Sequence, residues 1–545
     1  MGRRTLGGLF ALGCALALAA HAQTPPAGGN PAVNPNLAPL ELKFDISRFV
    51  VEGNTLLPAD EVKAITSRYL GRNRDFGDVQ KTLEGLENAY RARGYSAVQV
   101  YLPEQELEKG VIRLQVIEAR IRKVEVRNNK YFSEDNVRRS LPSVRVGESP
   151  NSDKVSANLR IANENPAKQS TVLLRAGDNQ GDVDAVVDVN DEPQQKWFAT
   201  LDNTGTHSTG ELRAGLGYQH ANLFDRDQAL TLQYVTSERP SRVSIFSAGY
   251  HAPLYDLGSS IDVIAGYSDV NVGTTSTPAG PLQFSGRGTV LIGRWNYQLP
   301  RVPGYDHKLV FGLDRRHYNN TCALADFGED ACGSAGASFG VMPASLGYYG
   351  TWTLERAQAA FYVTGLRNIL SGQDSSTSSL EAARFNADAS YTILRFGGSF
   401  VKALKKDWQV RASLAAQYTN DALVAPEQFG AGGMNSVRGF LEREVSNDRG
   451  YTMNLELYTP DIGGALRLRD WTVRLLAFYD RAQLSRVQPQ PGDTQDEAIS
   501  SLGFGTRASL GKTLSLRTDI AQVIEPGGTR GGSTRRLQFG ALWVF

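Results

Sequence analysis

The sequence predicts a membrane β-barrel of about 16 antiparallel strands preceded by two small α/β domains. Three observations carry this. From Lys196 to Phe545 the chain runs in alternating segments of about ten residues, broken by turn residues, as strands with one lipid face and one lumen face do. Before them, residues 41–119 and 120–193 each pass through the order β-α-α-β-β. After the first twenty residues, no apolar run reaches the length of a membrane helix, which leaves strands as the spanning elements.

The N-terminus reads as an export signal. Arg3 and Arg4 form a basic n-region, Leu6 to Ala20 is apolar and short, and Ala20-His21-Ala22 is a small-x-small cleavage site, so residues 1–22 are assigned to a signal peptide. Residues 23–40 are rich in Pro, Asn, Ala and Gly and read as a flexible lead-in. In the first α/β unit, Phe44 to Val51 alternates as one strand and stops at Gly53-Asn54, and Pro58 opens a helix. A second helix places Phe76, Val79, Leu83, Leu86 and Tyr90 at three- and four-residue spacing and ends at Gly94. Strands Ala97 to Leu102 and Val111 to Ile117 follow. The second unit repeats the order with a strand from Ile121 to Arg127, helical stretches near Glu134 to Leu141 and Asp153 to Asn163, and strands near Ser170 and Asp182.

In the barrel region the connections alternate in length. Leu404 to Asp407 and Gly511 to Thr513 are short, whereas Asn319 to Ala335, Ser371 to Ser379, Asp421 to Arg449 and Ser485 to Glu497 are long and polar. Phe385 to Phe396 reads as one of the strands. The chain ends with Leu537, Phe539, Ala541, Trp543 and Phe545 on one face, a closing strand turned to lipid.

The longest-looking connection, residues 420–450, holds the most informative stretch. Gly430, Gly432 and Gly433 permit the backbone to fold back, and Val437-Arg438-Gly439-Phe440 follows. Loops of that length are usually functional. Arg438 is the one charge between Glu427 and Glu442, and its planar, permanently charged head suits a plug held against carboxylates. Glu442, Glu444 and Asp448 read as a solvated loop face. Catalytic and metal patterns are absent from the sequence: His207, His220, His251, His307 and His317 show no metal spacing, and there is neither a P-loop nor a G-x-S-x-G. The expectation is a non-enzyme with no cofactor and no metal site. A net charge of +1 gives no basic excess for nucleic acid.

Taken in order, these motifs resemble the outer-membrane transporters of two-partner secretion, within the superfamily of barrels preceded by polypeptide-transport-associated (POTRA) domains. The first POTRA match is Gly94-Tyr95, Leu102-Pro103-Glu104-Gln105 and Gly110 to Leu114; the second is Asn165-Pro166 with Leu174 to Gly177. Barrel entry matches in Asp202 to Gly205 and Thr209-Gly210, and the loop in Ser436 to Phe440 and Asp448 to Gly450. The resemblance implies that the loop enters the lumen. There Arg438 would meet Asp480 of an F-x-D-x-G motif on the inner wall, here Phe478-Tyr479-Asp480-Arg481-Ala482, with Ala482 in the glycine's place. It further implies secretion of one large partner exoprotein (an adhesin, haemolysin or contact-dependent toxin) without nucleotide. The partner would dock on an exposed strand edge at Ala97, Val98, Gln99, Val100, Tyr101 and Leu102. The barrel would contact outer-membrane lipid, present the C-terminal strand ending in Phe545 to the barrel-assembly machinery, and leave the α/β domains in the periplasm.

Rival readings are an assembly or insertase protein of the same superfamily and a passive porin. The match of these two domains to the secretion type argues against the first, and the tandem α/β units argue against the second. Cys322 and Cys332 share one polar loop of an exported chain, a context that favours a disulfide over two free thiols. Mass spectrometry of the unreduced protein is expected to show them bridged, and the Cys322→Ser/Cys332→Ser double variant is expected to keep its heat-modifiable barrel; two alkylatable thiols would reject the bridge.

Overall fold

The computed structural model describes residues 42–545 apart from 107–108, 208, 278–279, 301, 320–336, 370–372 and 528–533. The export signal, the lead-in and both loop cysteines lie outside the described residues.

In the first unit, Val111–Glu118 is the central strand, parallel to Arg48–Glu52 and antiparallel to Val98–Tyr101. Helices Ala59–Thr66 and Phe76–Ala92 cover one face of this sheet. The helical spacing of Val79, Leu86 and Tyr90 buries them against Ile112 and Leu114. Asp75 caps the second helix by accepting from the Asp78 N–H at 3.0 Å. The strand expected as continuous from Phe44 is broken at Ser47. Its first part, Phe44–Ile46, pairs instead with Gly71–Arg74, whose sequence Gly-Arg-Asn-Arg carries no β-branched or aromatic residue to announce it. Ala97 and Leu102 lie just outside the outer strand Val98–Tyr101.

The second unit repeats the plan, with Asp182–Asp191 central between Arg120–Arg127 (parallel) and Lys168–Ala176 (antiparallel), and helices Glu134–Arg139 and Ser152–Ala162. The two units meet end to end. The Ser152 N–H and hydroxyl both donate to the Gly94 carbonyl, at 2.8 and 2.7 Å, so the end of one helix feeds the start of the next. Gly94 sits at φ +86°, and a Cβ there would lie 2.6 Å from Asn151 Oδ1, so this joint requires glycine.

Both units also share a fastening. A carboxylate at the end of the last strand accepts from the loop that leads into the first helix. Glu118 accepts from the N–H groups of Thr55 (2.7 Å) and Leu56 (2.9 Å) and from the Tyr90 hydroxyl (3.0 Å). Asp191 accepts from the N–H groups of Lys130, Tyr131 and Phe132 at 2.8–3.0 Å. Each satisfies backbone donors of the loop ahead of the helix cap.

From Gln195 the chain forms a closed barrel of 16 antiparallel strands, counting Phe339–Val341 and Pro343–Thr353 as one strand interrupted at Met342, since both pair with Tyr305–Asn319. Period-2 alternation places Phe311 and Leu313 outside, and Val310 and Asp314 inside. Aromatic residues stack across neighbouring strands at the end nearest the α/β units: Tyr305 on Trp352 at 4.7 Å, and Trp295 on Phe311 at 5.2 Å between ring centroids. Closure is brief. The ladder between Arg535–Val544 and Gln195–Asp202 runs from Gly540–Asp202 to Val544–Phe198, and Trp197 and Phe545 exchange backbone bonds at 2.9 Å past its end. At the other end, the Asn203 side chain substitutes for ladder bonds, donating to the Leu537 carbonyl and accepting from the Phe539 N–H, both at 2.9 Å. The segment expected as a strand from Phe385 becomes one only at Thr392. Ahead of it, Thr377–Ala383 is a helix capped by Ser376, and Leu380 packs with Tyr391, Ile393, Leu423 and Val424.

The second unit is bolted to the near end of the barrel. Lys168, fully buried, donates to Asp227 at 2.6 Å and to Asn136 at 2.8 Å, and the Tyr255 hydroxyl donates to the same Asp227 carboxylate at 2.6 Å. Arg160 donates to the Leu299 carbonyl at 2.9 Å.

The Glu118 fastening makes the first unit acid-sensitive. Burial raises the carboxyl's affinity for a proton, but the bonds from Thr55, Leu56 and Tyr90 outweigh it and hold the group below its ordinary range. A lowered carboxylate stabilises the fold above its unfolded pKa, and that contribution is lost as pH falls through the folded value. Limited proteolysis of the periplasm-type unit in the full chain is therefore expected to accelerate in acid. Glu118→Ala is expected to cleave rapidly at neutral pH with a flatter pH profile; an unchanged wild-type profile in the variant would reject the assignment.

Candidate functional site: a buried arginine in the barrel lumen

The connection between strands Gln409–Tyr418 and Arg449–Tyr458 folds back into the barrel. Its stem is a small hairpin, Phe429–Ala431 paired with Val445–Asn447. The turn at its tip depends on Gly432 and Gly433, at φ +107° and +104°, where an added Cβ would lie 2.6 Å from the Leu441 carbonyl and 2.3 Å from the Glu442 side chain, respectively. Val437 and Phe440 are fully buried and pack with Ala431, Val445, Leu484, Ile499 and Val523. Ala482 belongs to the same cluster, so the residue in the motif's glycine position contributes its methyl to the seat of Phe440.

Arg438 lies at the centre, 3 % exposed, with Asp480 at 0 %. Its guanidinium forms a two-pronged contact with Asp480, Nε to Oδ2 at 2.7 Å and Nη2 to Oδ1 at 2.8 Å, and its backbone N–H donates to the same carboxylate at 3.1 Å. Nη1 donates to Glu456 at 2.8 Å and approaches Asp519 at 3.5 Å. The Phe478 ring lies beneath the guanidinium carbon, 3.5 Å from it to the centroid. Asn454 orients the acceptor, donating to Asp480 Oδ1 at 2.8 Å and to the Ser436 carbonyl at 2.5 Å. Charge balances within this stripe. Arg507 (2.9 Å) and Arg517 (3.3 Å) also reach Asp519, so Arg438, Arg507 and Arg517 face Asp480, Asp519 and Glu456. A buried cation is tolerable only where such compensation exists.

The tip is also sutured to the closing strand. The Gly439 N–H donates to Gln538 Oε1 at 3.0 Å, and Gln538 Nε2 donates to the Phe440 carbonyl at 3.2 Å. Gly439 has φ +93°, and a Cβ would lie 3.0 Å from Ala521 Cβ.

The base of the loop departs from expectation. Asp448 is not a solvated residue: it is fully buried and accepts from Arg384 (2.8 Å), the Leu423 N–H (2.9 Å) and the Val487 N–H (2.7 Å), tying three connections together. Glu442 accepts from the Met434 N–H at 2.8 Å and Glu444 from the Leu441 N–H at 2.7 Å, so both carboxylates hold the loop's own backbone. No sequence motif marks Glu456, Asn454, Asp519 or Gln538, and none marks Glu427, which accepts from Arg316 at 2.7 Å below the loop stem. Each lies on the inner face of its strand or on the loop stem, so inward parity of a polar residue was the signal available. Between the loop and the second α/β unit lies a lumen cavity of about 1090 Å³, lined among others by Glu164, Asp262, Arg294, Arg316, Arg395 and Arg443. Within the outer strand Val98–Tyr101, the Val100 N–H donates to the Glu87 side chain at 3.3 Å.

Comparisons with known proteins bear on the family and the fold. The family model for the haemolysin secretion/activation proteins ShlB/FhaC/HecB matches residues 183–508, and the model for the ShlB-type POTRA domain matches residues 44–119. The chain is 20 % identical to the heme/hemopexin transporter protein HuxB of Haemophilus influenzae, over 89 % of this chain and 84 % of that one. It is 27 % identical to the outer membrane transporter CdiB of Dickeya dadantii, over 80 % and 74 % of the two chains. The fold matches the solved structure of CdiB from Escherichia coli with a TM-score of 0.74 at 18 % identity, covering 95 % and 93 %.

Removing one member of a buried ion pair typically costs about 3–5 kcal/mol, because the other charge is stranded. Arg438→Ala and Asp480→Ala are each expected to loosen the loop by roughly that amount, read as protease access at Glu442–Arg443 in folded barrels. The double variant is expected to be little worse than either single one, whereas strictly additive losses would show that the two residues do not act together. Gly439→Ala is expected to cost about 1–3 kcal/mol through its backbone conformation and its crowding against Ala521.

Proposed function

The chain belongs to the haemolysin secretion/activation family of outer-membrane two-partner secretion transporters, and from that premise we propose how its own residues carry a client across. The client is one large exoprotein, exported unfolded to the periplasm. An extended segment of it adds to the outer strand Val98–Tyr101 of the first POTRA domain, exchanging backbone hydrogen bonds. That step displaces Glu87 from the Val100 N–H, so the edge is covered at rest and opened by the client. The second α/β unit, pinned through Lys168 and Asp227, hands the segment to the lumen cavity.

The observation that carries this reading is the lumen loop held by Arg438. Docked, it fills the conduit beside the wall that bears Asp480 and Asp519. For a chain to pass, the loop has to shift, and the paired, charge-neutral stripe gives it one defined resting position to return to. The carboxylates here orient an arginine and a backbone rather than a reacting bond. No step requires a nucleotide, and folding of the exoprotein outside the cell supplies direction. The adhesin, haemolysin and contact-dependent toxin classes all fit such a client.

Secreted exoprotein at matched barrel levels tests the proposal. Arg438→Ala is expected to reduce secretion sharply, and Arg438→Lys to restore little of it because lysine lacks the planar fork. Val100→Pro is expected to weaken client capture while leaving a heat-modifiable barrel in the outer membrane. Unchanged secretion by Val100→Pro would rule out that docking edge, and unchanged secretion by Arg438→Ala would remove the loop from the transport cycle.

A further inference from the structure

The outer face of the barrel carries a feature that transport does not use. Other outward-facing arginines near the far rim have partners in the protein itself: Arg287 pairs with Asp269 at 3.1 Å, Arg481 with Glu525 at 2.6 Å, Arg535 bonds Gln522 at 2.8 Å, and Arg449 lies over the Tyr418 ring. Arg315 and Arg367 differ. Both are exposed on the lipid-facing side, and neither has an ion-pair or side-chain hydrogen-bond partner among the described residues. Arg315 follows Phe311 and Leu313 on the same face of its strand, and Arg367 follows Val363 and Gly365.

Register brings the two together. Leu313 is opposite Ala344, and Ala344 is opposite Arg367, so Arg367 stands two strands from the Tyr305–Asn319 strand and one outward position below Arg315. Two interstrand steps span about 10 Å, within reach of two long guanidinium side chains converging on one group. Their height is that of a membrane interface. Ten residues along a tilted strand, from the aromatic belt at Tyr305 to Arg315, rise about 25 Å, the usual height of a barrel's apolar band.

Below Arg367 there is also room for a chain. Gly365 faces outward with no atom within 4 Å of where a Cβ would stand. Leu346 and Leu394, its partners on either side, are exposed. The result is a shallow aliphatic furrow running from a pair of unmatched cations toward the membrane middle.

We propose that Arg315 and Arg367 bind the phosphate of an outer-leaflet phosphoglycolipid, with one acyl chain lying over Gly365 between Leu346 and Leu394. Guanidinium groups suit phosphate because they offer paired donors in one plane, and a cation at a lipid interface gains most from an anionic headgroup. The site rests on the outer-membrane placement of the barrel, which fractionation checks independently.

The test uses the full chain in detergent and native mass spectrometry with three probes: bisphosphorylated lipid A, the same lipid with its phosphates removed, and inorganic phosphate. Wild type is expected to hold the phosphorylated lipid, and Arg315→Gln/Arg367→Gln to bind it about tenfold more weakly or worse. Arg315→Lys/Arg367→Lys is expected to fall between. Gly365→Leu, which fills the furrow, is expected to weaken the lipid without changing any response to inorganic phosphate. Equal binding by the double Gln variant, or equal binding of the phosphate-free lipid, overturns the site. Displacement of the lipid by an equimolar amount of inorganic phosphate overturns the lipid in favour of a free anion. Should the double variant fail to give a heat-modifiable barrel, Gly365→Leu and the comparison of the two lipids on wild type still decide.

Discussion

A guanidinium inside a barrel is an expensive object, and the surrounding architecture answers to it. Arg438 arrives at the tip of a loop whose glycines let the backbone turn twice, and it meets Asp480 through both prongs of its fork and its own N–H. Phe478 sits flat beneath it, and Glu456 and Asp519 occupy the remaining sides. Without those acceptors, entry into the lumen would strand a buried cation against the gain from burying Val437 and Phe440. Without the loop, Arg507 and Arg517 would still reach Asp519, but Asp480 and Glu456 would lose the cation they share. The two halves make sense only together.

The same logic explains why the loop is anchored at several points of different character. Phe440 and Val437 supply burial, Gln538 supplies hydrogen bonds to the closing strand, and Asp448 gathers Arg384, Leu423 and Val487 at the base. Apolar burial is non-directional and would tolerate a slipped loop. The charged fork fixes orientation, and the Gln538 contacts fix depth.

Much of this was legible in the residues, and the gaps have physical causes. Period-2 alternation is enforced by a lipid face on one side, so the barrel strands and the shared face of Phe478 and Asp480 could be read directly, whereas the inward side of that face came from the family resemblance. Helical spacing announced Phe76–Ala92 for the same reason. Gly71–Arg74 was silent because a short outer strand with no apolar face has no period to show. The helix Thr377–Ala383 was hidden by a Ser/Thr-rich start that reads as loop, although Ser376 is its cap. Asp448 was misjudged because a polar run looks solvated until the connections above it are known to close over it. Glu456, Asp519 and Gln538 showed only the inward parity of a polar residue, because their convergence on Arg438 depends on register across strands far apart in sequence, which one-dimensional patterning does not carry.

The brief seam between Arg535–Val544 and Gln195–Asp202 bears on the timing of assembly. Its partners stand at opposite ends of the barrel sequence, so of all the barrel's pairings it carries the largest loop-closure cost. Arg438 is likewise made before Asp480, Asp519 and Gln538, the residues that receive it. While the later strands are missing, the loop has no seat, and a half-built barrel stays unplugged and open along one side. Because Gln538 lies on the closing strand itself, completing the cylinder and seating the loop are coupled. Completing the cylinder therefore adds the last two of the loop's hydrogen bonds, so closure and a fully seated loop reinforce each other.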